Sequence, residues 1–191
     1  MPPTFNPLPS LVAPAAFLAT GILRIQSSHD PLNLALAAHA LVVGVALLVR
    51  KPAKQDAPLL EQAAAWGFAL LPMFFVKVNE DAPAWSQALA ITGVLFTIWS
   101  VLALWQSFAI APADRGLVTG GPYRLVRHPM YAGQMLSLLA ILLGGASLLS
   151  WLVVLVSFTG AIWRILREER MIEGYSDYAA AVRWRLIPGV F

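Results

Sequence analysis

The sequence predicts an all-α, polytopic integral membrane bundle of five to six membrane segments with no Rossmann domain, and three observations predict it. Hydrophobic residues make up 59% of the chain and charged residues only 12%, with a mean hydropathy of +0.70, whereas a soluble domain carries roughly 25% charged residues. Uncharged runs recur at lengths suited to a hydrocarbon core of ~30 Å, which takes ~20 helical residues to cross. The 13 basic residues fall unevenly on the two sides those runs define. Spans on this scale leave no room in 191 residues for a separate soluble catalytic domain. Residues 1–191 are expected to form one membrane domain whose site is built from helix ends, loops and the tail.

Residues 8–113 hold four N-terminal spans. The first, Leu8–Leu23, follows a proline-rich start with no Lys or Arg before Arg24, which is not the pattern of a cleavable signal. Leu32–Val49 and Gln62–Val76 are the second and third. Ala82–Ala113 is uncharged and holds the fourth, with Trp85 and Trp105 near its ends as interfacial anchors. Residues 114–129 form a polar loop. Pro129–Trp163 is again uncharged, but as one helix it would be about 52 Å long at 1.5 Å per residue. Gly144-Gly145-Ala146-Ser147 is a natural breaker, so residues 130–170 are read as a helical hairpin, Met130–Leu143 and Leu148 to about Arg170. Residues 171–191 form an amphipathic tail, with Gly174 expected to end the last helix and Tyr175, Tyr178 and Trp184 in the headgroup zone.

Charge supports this topology. With the N-terminus inside, Arg50, Lys51, Lys54, Arg115, Arg124, Arg127, Arg164, Arg167, Arg170, Arg183 and Arg185 lie inside, and only Arg24 and Lys77 lie outside. Both termini, the polar loop and the tail would then share the cytoplasmic side.

The chemistry concentrates in Thr119–Gly133, T-G-G-P-Y-R-L-V-R-H-P-M-Y-A-G. Pro129 disfavours the α region for His128 and suits the first position of the following helix. The elbow is expected to present the imidazole and neighbouring backbone N–H groups to a pocket at a helix N-terminus, where an anionic ligand group is favoured. The same basic residues also suit lipid headgroups. Glu168 and Glu169 stand at the membrane boundary, where carboxylates are costly unless paired or functional; Arg164, Arg167 and Arg170 are the neighbours expected to pair with them. His39, inside the second span, is expected to make a helix-to-helix hydrogen bond. No cysteine is present and the three histidines lie far apart, so no metal site is expected. No G-x-G-x-x-G, Walker loop or G-x-S-x-G elbow occurs, and the basic residues form no stripe for nucleic acid.

Gly121–Gly133, Glu168-Glu169, Tyr178 and Arg183–Gly189 (R-W-R-L-I-P-G) together resemble the C-terminal half of the isoprenylcysteine carboxyl methyltransferase family, to which phospholipid N-methyltransferases are similar in the same way. The resemblance covers about residues 115–191, and the first three helices carry no signature. It implies a membrane methyltransferase that uses S-adenosylmethionine, with Tyr123, Arg127, His128, Tyr131, Gly133 and Glu168 contacting the cofactor and Glu169 and Arg185 as the catalytic pair at the reacting end. The implied partner is a lipophilic small molecule or lipid that arrives laterally from the bilayer: an isoprenylcysteine-like carboxylate, or another small lipophilic carboxylate or thiol. The spacer before the paired tyrosines, E-G-Y-S-D-Y, is shorter than in many members and lacks their phenylalanine-glycine pair. Membrane sterol reductases that use NADPH share the motif, and a non-catalytic membrane binding protein is the third reading.

Overall fold

The computed structural model describes residues 7–79 and 81–191; the proline-rich residues 1–6 lie outside the described residues. The chain runs α1 (Pro7–Ser27), α2 (Pro31–Val49), β1 (Gln55–Asp56), α3 (Leu59–Phe75), α4 (Ala84–Leu104), β2 (Ala113–Asp114), α5 (Pro129–Leu143), α6 (Leu148–Met171) and α7 (Tyr175–Ala181). Every uncharged run therefore contains helix, and the longest holds two. Three helices, Pro31–Val49, Ala84–Ser107 and Leu148–Met171, are long and apolar enough to cross a membrane, while Leu11–Ser27, Leu59–Phe75 and Pro129–Leu143 are shorter apolar helices. Leu23, Leu48, Leu95, Leu102, Leu152 and Leu155 point outward, as a surface facing acyl chains requires.

Local chemistry sets the helix ends. Asp30 caps α2 by accepting from the Asn33 N–H at 2.9 Å, with Pro31 at the first position. Ser147 caps α6 through the Ser150 N–H, just after Gly145 turns the chain at φ +104°. α6 stops at Met171, short of the expected glycine. Gly174, at φ +76°, instead makes the left-handed turn into α7.

α1 packs on α2, α2 on α4, α4 on α5, and α3 on α6. The α4–α5 contact is the closest, because Gly93 and Thr97 of α4 face Gly133 and Ser137 of α5, one small-xxx-small pair on each helix. A Cβ on Gly93 would lie 2.6 Å from the Ser137 nitrogen, and one on Gly133 would lie 2.7 Å from the Gly93 oxygen. Ser86 adds a buried hydrogen bond to the Ala140 carbonyl at 2.8 Å. α5 and α6, joined by a short turn, touch sparsely. α6 has its own partner: Gly160 lets Phe68 of α3 against the helix backbone, and Phe68 meets Trp163 edge-on at 6.2 Å. A gap lined by α3, α5 and α6 results.

The loops at the polar end are tied together. Gln55 and Asp56 pair antiparallel with Asp114 and Ala113, and the Arg115 guanidinium donates to the Lys51 carbonyl. His39 corrects an expectation. It makes no hydrogen bond to a described residue and lines a partly open cavity among α1 to α5.

Gly133→Ala should force α4 and α5 apart and cost roughly 1–3 kcal/mol, as overpacking of a tight contact does. Gly67→Ala, at a helical site with nothing within 4 Å, should be neutral or gain up to ~1 kcal/mol. Thermal unfolding of both variants in detergent checks the contrast, and equal behaviour would remove the α4–α5 contact as the close-packed seam.

Candidate functional site

A cleft of about 640 Å³ lies between the end of α4, the loop that follows it, the short 3-10 turn Gly121–Arg124, the start of α5, the end of α6, and α7. Of the eight expected site residues, five line it: Tyr123, Arg127, His128, Tyr131 and Glu168. The other three do not. Gly133 faces α4, where its missing side chain allows the helix contact. Glu169 and Arg185 turn toward each other outside the cleft wall.

Glu169 gathers hydrogen-bond partners from three parts of the chain. Arg185 grips it with Nε and Nη2, at 2.9 Å to Oε1 and 2.9 Å to Oε2; Arg127 Nη1 lies 3.1 Å from Oε1 and His128 Nε2 3.2 Å. The Tyr175 hydroxyl donates to the same oxygen at 3.3 Å and stands 2.9 Å from His128 Nε2. Two acceptors facing Nε2 favour the Nε2–H tautomer. The Glu169, Arg127 and His128 side chains are only 11%, 10% and 5% exposed, so these contacts are weakly screened. The expected pairing within α6 does not form. Arg167 leaves for Glu61 of α3, in a bidentate contact at 2.7 and 2.8 Å.

His128 adopts φ −130°, ψ 61°, outside the helical region, and Pro129 opens α5, as the His-Pro pair predicts. The expected free backbone donors are not free. The Arg127 N–H goes to the Trp184 carbonyl at 2.8 Å and the His128 N–H to the Arg185 carbonyl at 2.9 Å. The tail thus crosses the elbow as a short strap. Tyr175 and Tyr178, expected among headgroups, are buried at 6% and 5% exposure, and Tyr178 donates to the Tyr123 carbonyl at 2.7 Å. Burial pushes the Tyr178 hydroxyl up to about 12 against the opposing charge of Arg127, and burial raises Tyr123 and Tyr175 as well. All three are neutral hydrogen-bond donors at physiological pH.

Glu168 has a different environment. Its Oε1 accepts from the Tyr131 hydroxyl at 2.6 Å, and its nearest cationic group among the described residues is His128 Nδ1, 3.9 Å away. It is a carboxylate facing the cleft with no arginine or lysine paired to it. Beside it, Arg127 Nε and Arg115 Nε are buried N–H donors without an acceptor, and both arginines line the cleft. A carboxylate and two arginines thus line one cleft, the combination a zwitterionic ligand requires. Arg115 was not singled out for the site, because only the pairing of residues 55–56 with 113–114 brings it there.

Glu169→Ala should leave two arginine side chains without their shared anion and release the strap, at a cost of about 3 kcal/mol as for a broken buried pair. Limited trypsin digestion should then cut at Arg183 and Arg185 well before the helices. Cleavage no faster than in the wild type would show that the strap holds without this carboxylate.

No curated protein matches the chain. Residues 83–177, from the residue before α4 through the polar loop, α5 and α6 into α7, match the family model of the phospholipid methyltransferases. Together with the apolar helices, this match supports an integral membrane protein of methyltransferase type. The stretch that supplies the elbow, both glutamates and most of the cleft is what this chain shares with the phospholipid methyltransferases, a group of membrane methyltransferases related to the isoprenylcysteine carboxyl methyltransferases.

Proposed function

We propose that the chain is an S-adenosylmethionine-dependent membrane methyltransferase acting on a lipophilic acceptor. The observation that carries this reading is the unpaired Glu168 carboxylate beside the unused Arg127 Nε–H in a cleft walled by buried tyrosines. S-adenosylmethionine joins a cationic sulfonium and ammonium to a carboxylate and an aromatic base, and these groups fit that donor and acceptor set. Glu168, oriented by Tyr131, would hold the cationic part. Arg127 and Arg115 would take the carboxylate, which guanidinium groups bind well. Tyr123, Tyr175 and Tyr178 offer aromatic surface for the base. When bound, the cofactor supplies an electrophilic methyl group for an in-line displacement, which needs positioning and exclusion of water more than acid–base help.

The chain's own residues supply that positioning. The Glu169–Arg185 contact latches the strap across the elbow and holds Arg127 and His128 in place. In this reading Glu169 and Arg185 are positioning residues that keep the cleft formed. The basic side chains of the polar loops and tail support a cytoplasmic cleft and cytoplasmic termini. The acceptor reaches the cleft from the bilayer; isoprenylcysteine-like carboxylates and other small lipophilic carboxylates or thiols are the class proposed.

S-adenosylmethionine or its demethylated product at 100 times the dissociation constant should stabilise the detergent-purified protein by about 2.7 kcal/mol, and Glu168→Ala or His128→Ala should abolish the thermal shift. Stabilisation by NADPH alone would move the chain to the reductases, and no response to any of the three would leave a non-catalytic membrane protein. Arg185→Ala should lower kcat by about a hundredfold, as a misplaced site does, while changing donor affinity far less. Equal loss in both would give Arg185 a direct role in donor binding.

A further inference from the structure

The cavity that holds His39 shares no lining residue with the cleft. Its walls run from Thr97 of α4 and Gln134 of α5, midway along the bundle, to Arg24, Val78 and Ile141 at the end opposite the His128 elbow. It exists because α3 makes its helix contacts chiefly with α6 and so stands off from α1, α2, α4 and α5. The space open inside it amounts to about 140 Å³.

Most polar groups on this wall are already in use. The hydroxyls of Thr20, Thr97 and Ser137 each donate to a carbonyl of their own helix, at 2.8, 2.9 and 3.0 Å, and Arg24 donates to Asn33 Oδ1 at 3.0 Å. The side chains of His39 and Gln134 make no hydrogen bond to a described residue. Gln134 also borders the small space beside Arg164, so His39 is the uncommitted group that faces this cavity alone. A neutral imidazole carries one donor and one acceptor, and within a membrane span an unmet polar group is costly. Most of the remaining wall is apolar, with Phe17, Met73, Val94 and Leu138. Among the described lining residues there is no carboxylate, and Arg24 is the one permanent cation. The interior therefore favours an uncharged occupant with a small polar group.

We infer that this cavity is a second small-molecule site, one that takes a phenol: an uncharged ring whose hydroxyl hydrogen-bonds His39 and whose carbon face fills the apolar remainder. Size supports a single ring, since an engineered apolar cavity of ~150 Å³ takes benzene, and a chain of lipid length exceeds this space. Met73 and Phe17 suit an aromatic occupant, because a thioether and a ring both pack well against another ring. Water would satisfy the imidazole but leave the apolar wall wetted, whereas a ring with one hydroxyl meets both. The inference goes beyond methyl transfer, because the site lies apart from the cleft and its occupation requires no methyl donor.

The test uses the full chain in phosphatidylcholine nanodiscs and 4-fluorophenol observed by fluorine NMR, with fluorobenzene as the ring that lacks a hydroxyl. Beyond the partitioning seen with empty nanodiscs, 4-fluorophenol should give a saturable bound signal. At matched concentrations in the bilayer it should bind about tenfold more tightly than fluorobenzene, the equivalent of one hydrogen bond worth ~1.4 kcal/mol. His39→Leu should erase that preference, and Ala69→Leu, which narrows the cavity and leaves the imidazole in place, should weaken both probes. Saturating S-adenosylmethionine should displace neither. No saturable signal in the wild type would mean that the cavity holds only water or lipid, and would overturn the inference. Equal affinity for the two rings, a preference that survives His39→Leu, binding unchanged by Ala69→Leu, or displacement by S-adenosylmethionine would each overturn it too. The wild-type comparison needs no variant, so it decides the matter even if His39→Leu fails to fold.

Discussion

The Glu169 carboxylate is the point on which the polar end of this bundle depends. Arg127, His128, Tyr175 and Arg185 come from the elbow, α7 and the strap, and each converges on it. Two arginines in a weakly screened site would repel one another without a shared anion. With it they form a closed network that fixes the start of α5 against the last residues of the chain. The backbone bonds from Arg127 and His128 to Trp184 and Arg185 depend on the same convergence, since a two-rung strap has little cooperative support of its own.

Two neighbouring glutamates thereby take separate roles. On α6, adjacent residues point about 100° apart, so one carboxylate turns toward the strap and the other toward the cleft. Glu169 is saturated by cations and becomes structural. Glu168 meets a neutral tyrosine hydroxyl and keeps its charge available. The Tyr131 hydroxyl, donating at 2.6 Å, is what the carboxylate of Glu168 has in place of a cation.

Helix packing decides where space is left. Glycines at 93 and 133 bring α4 and α5 into backbone contact, and the glycine at 160 gives α3 a close seat on α6. With each arm of the antiparallel pair committed to a different neighbour, the interval between α5 and α6 stays open along Gln134, Ser157 and Arg164. Lipids give helices no hydrophobic reason to close such an interval, because acyl chains are as apolar as the side chains facing it.

Sequence by itself determined the helices and their order, because an uncharged run cannot be solvated in any other form within a membrane and the charges that interrupt the runs mark their ends. It determined the elbow at His128-Pro129, a local steric effect, and it singled out five residues that line one cleft. What it could not determine was pairing between distant side chains. Arg167 with Glu61, Arg185 with Glu169, the burial of Tyr175 and Tyr178, the helix-packing role of Gly133 and the solitary state of Arg164 all depend on which helix faces lie against one another. That choice is made by shape complementarity among small residues across the whole bundle, and hydropathy and local spacing carry almost no information about it.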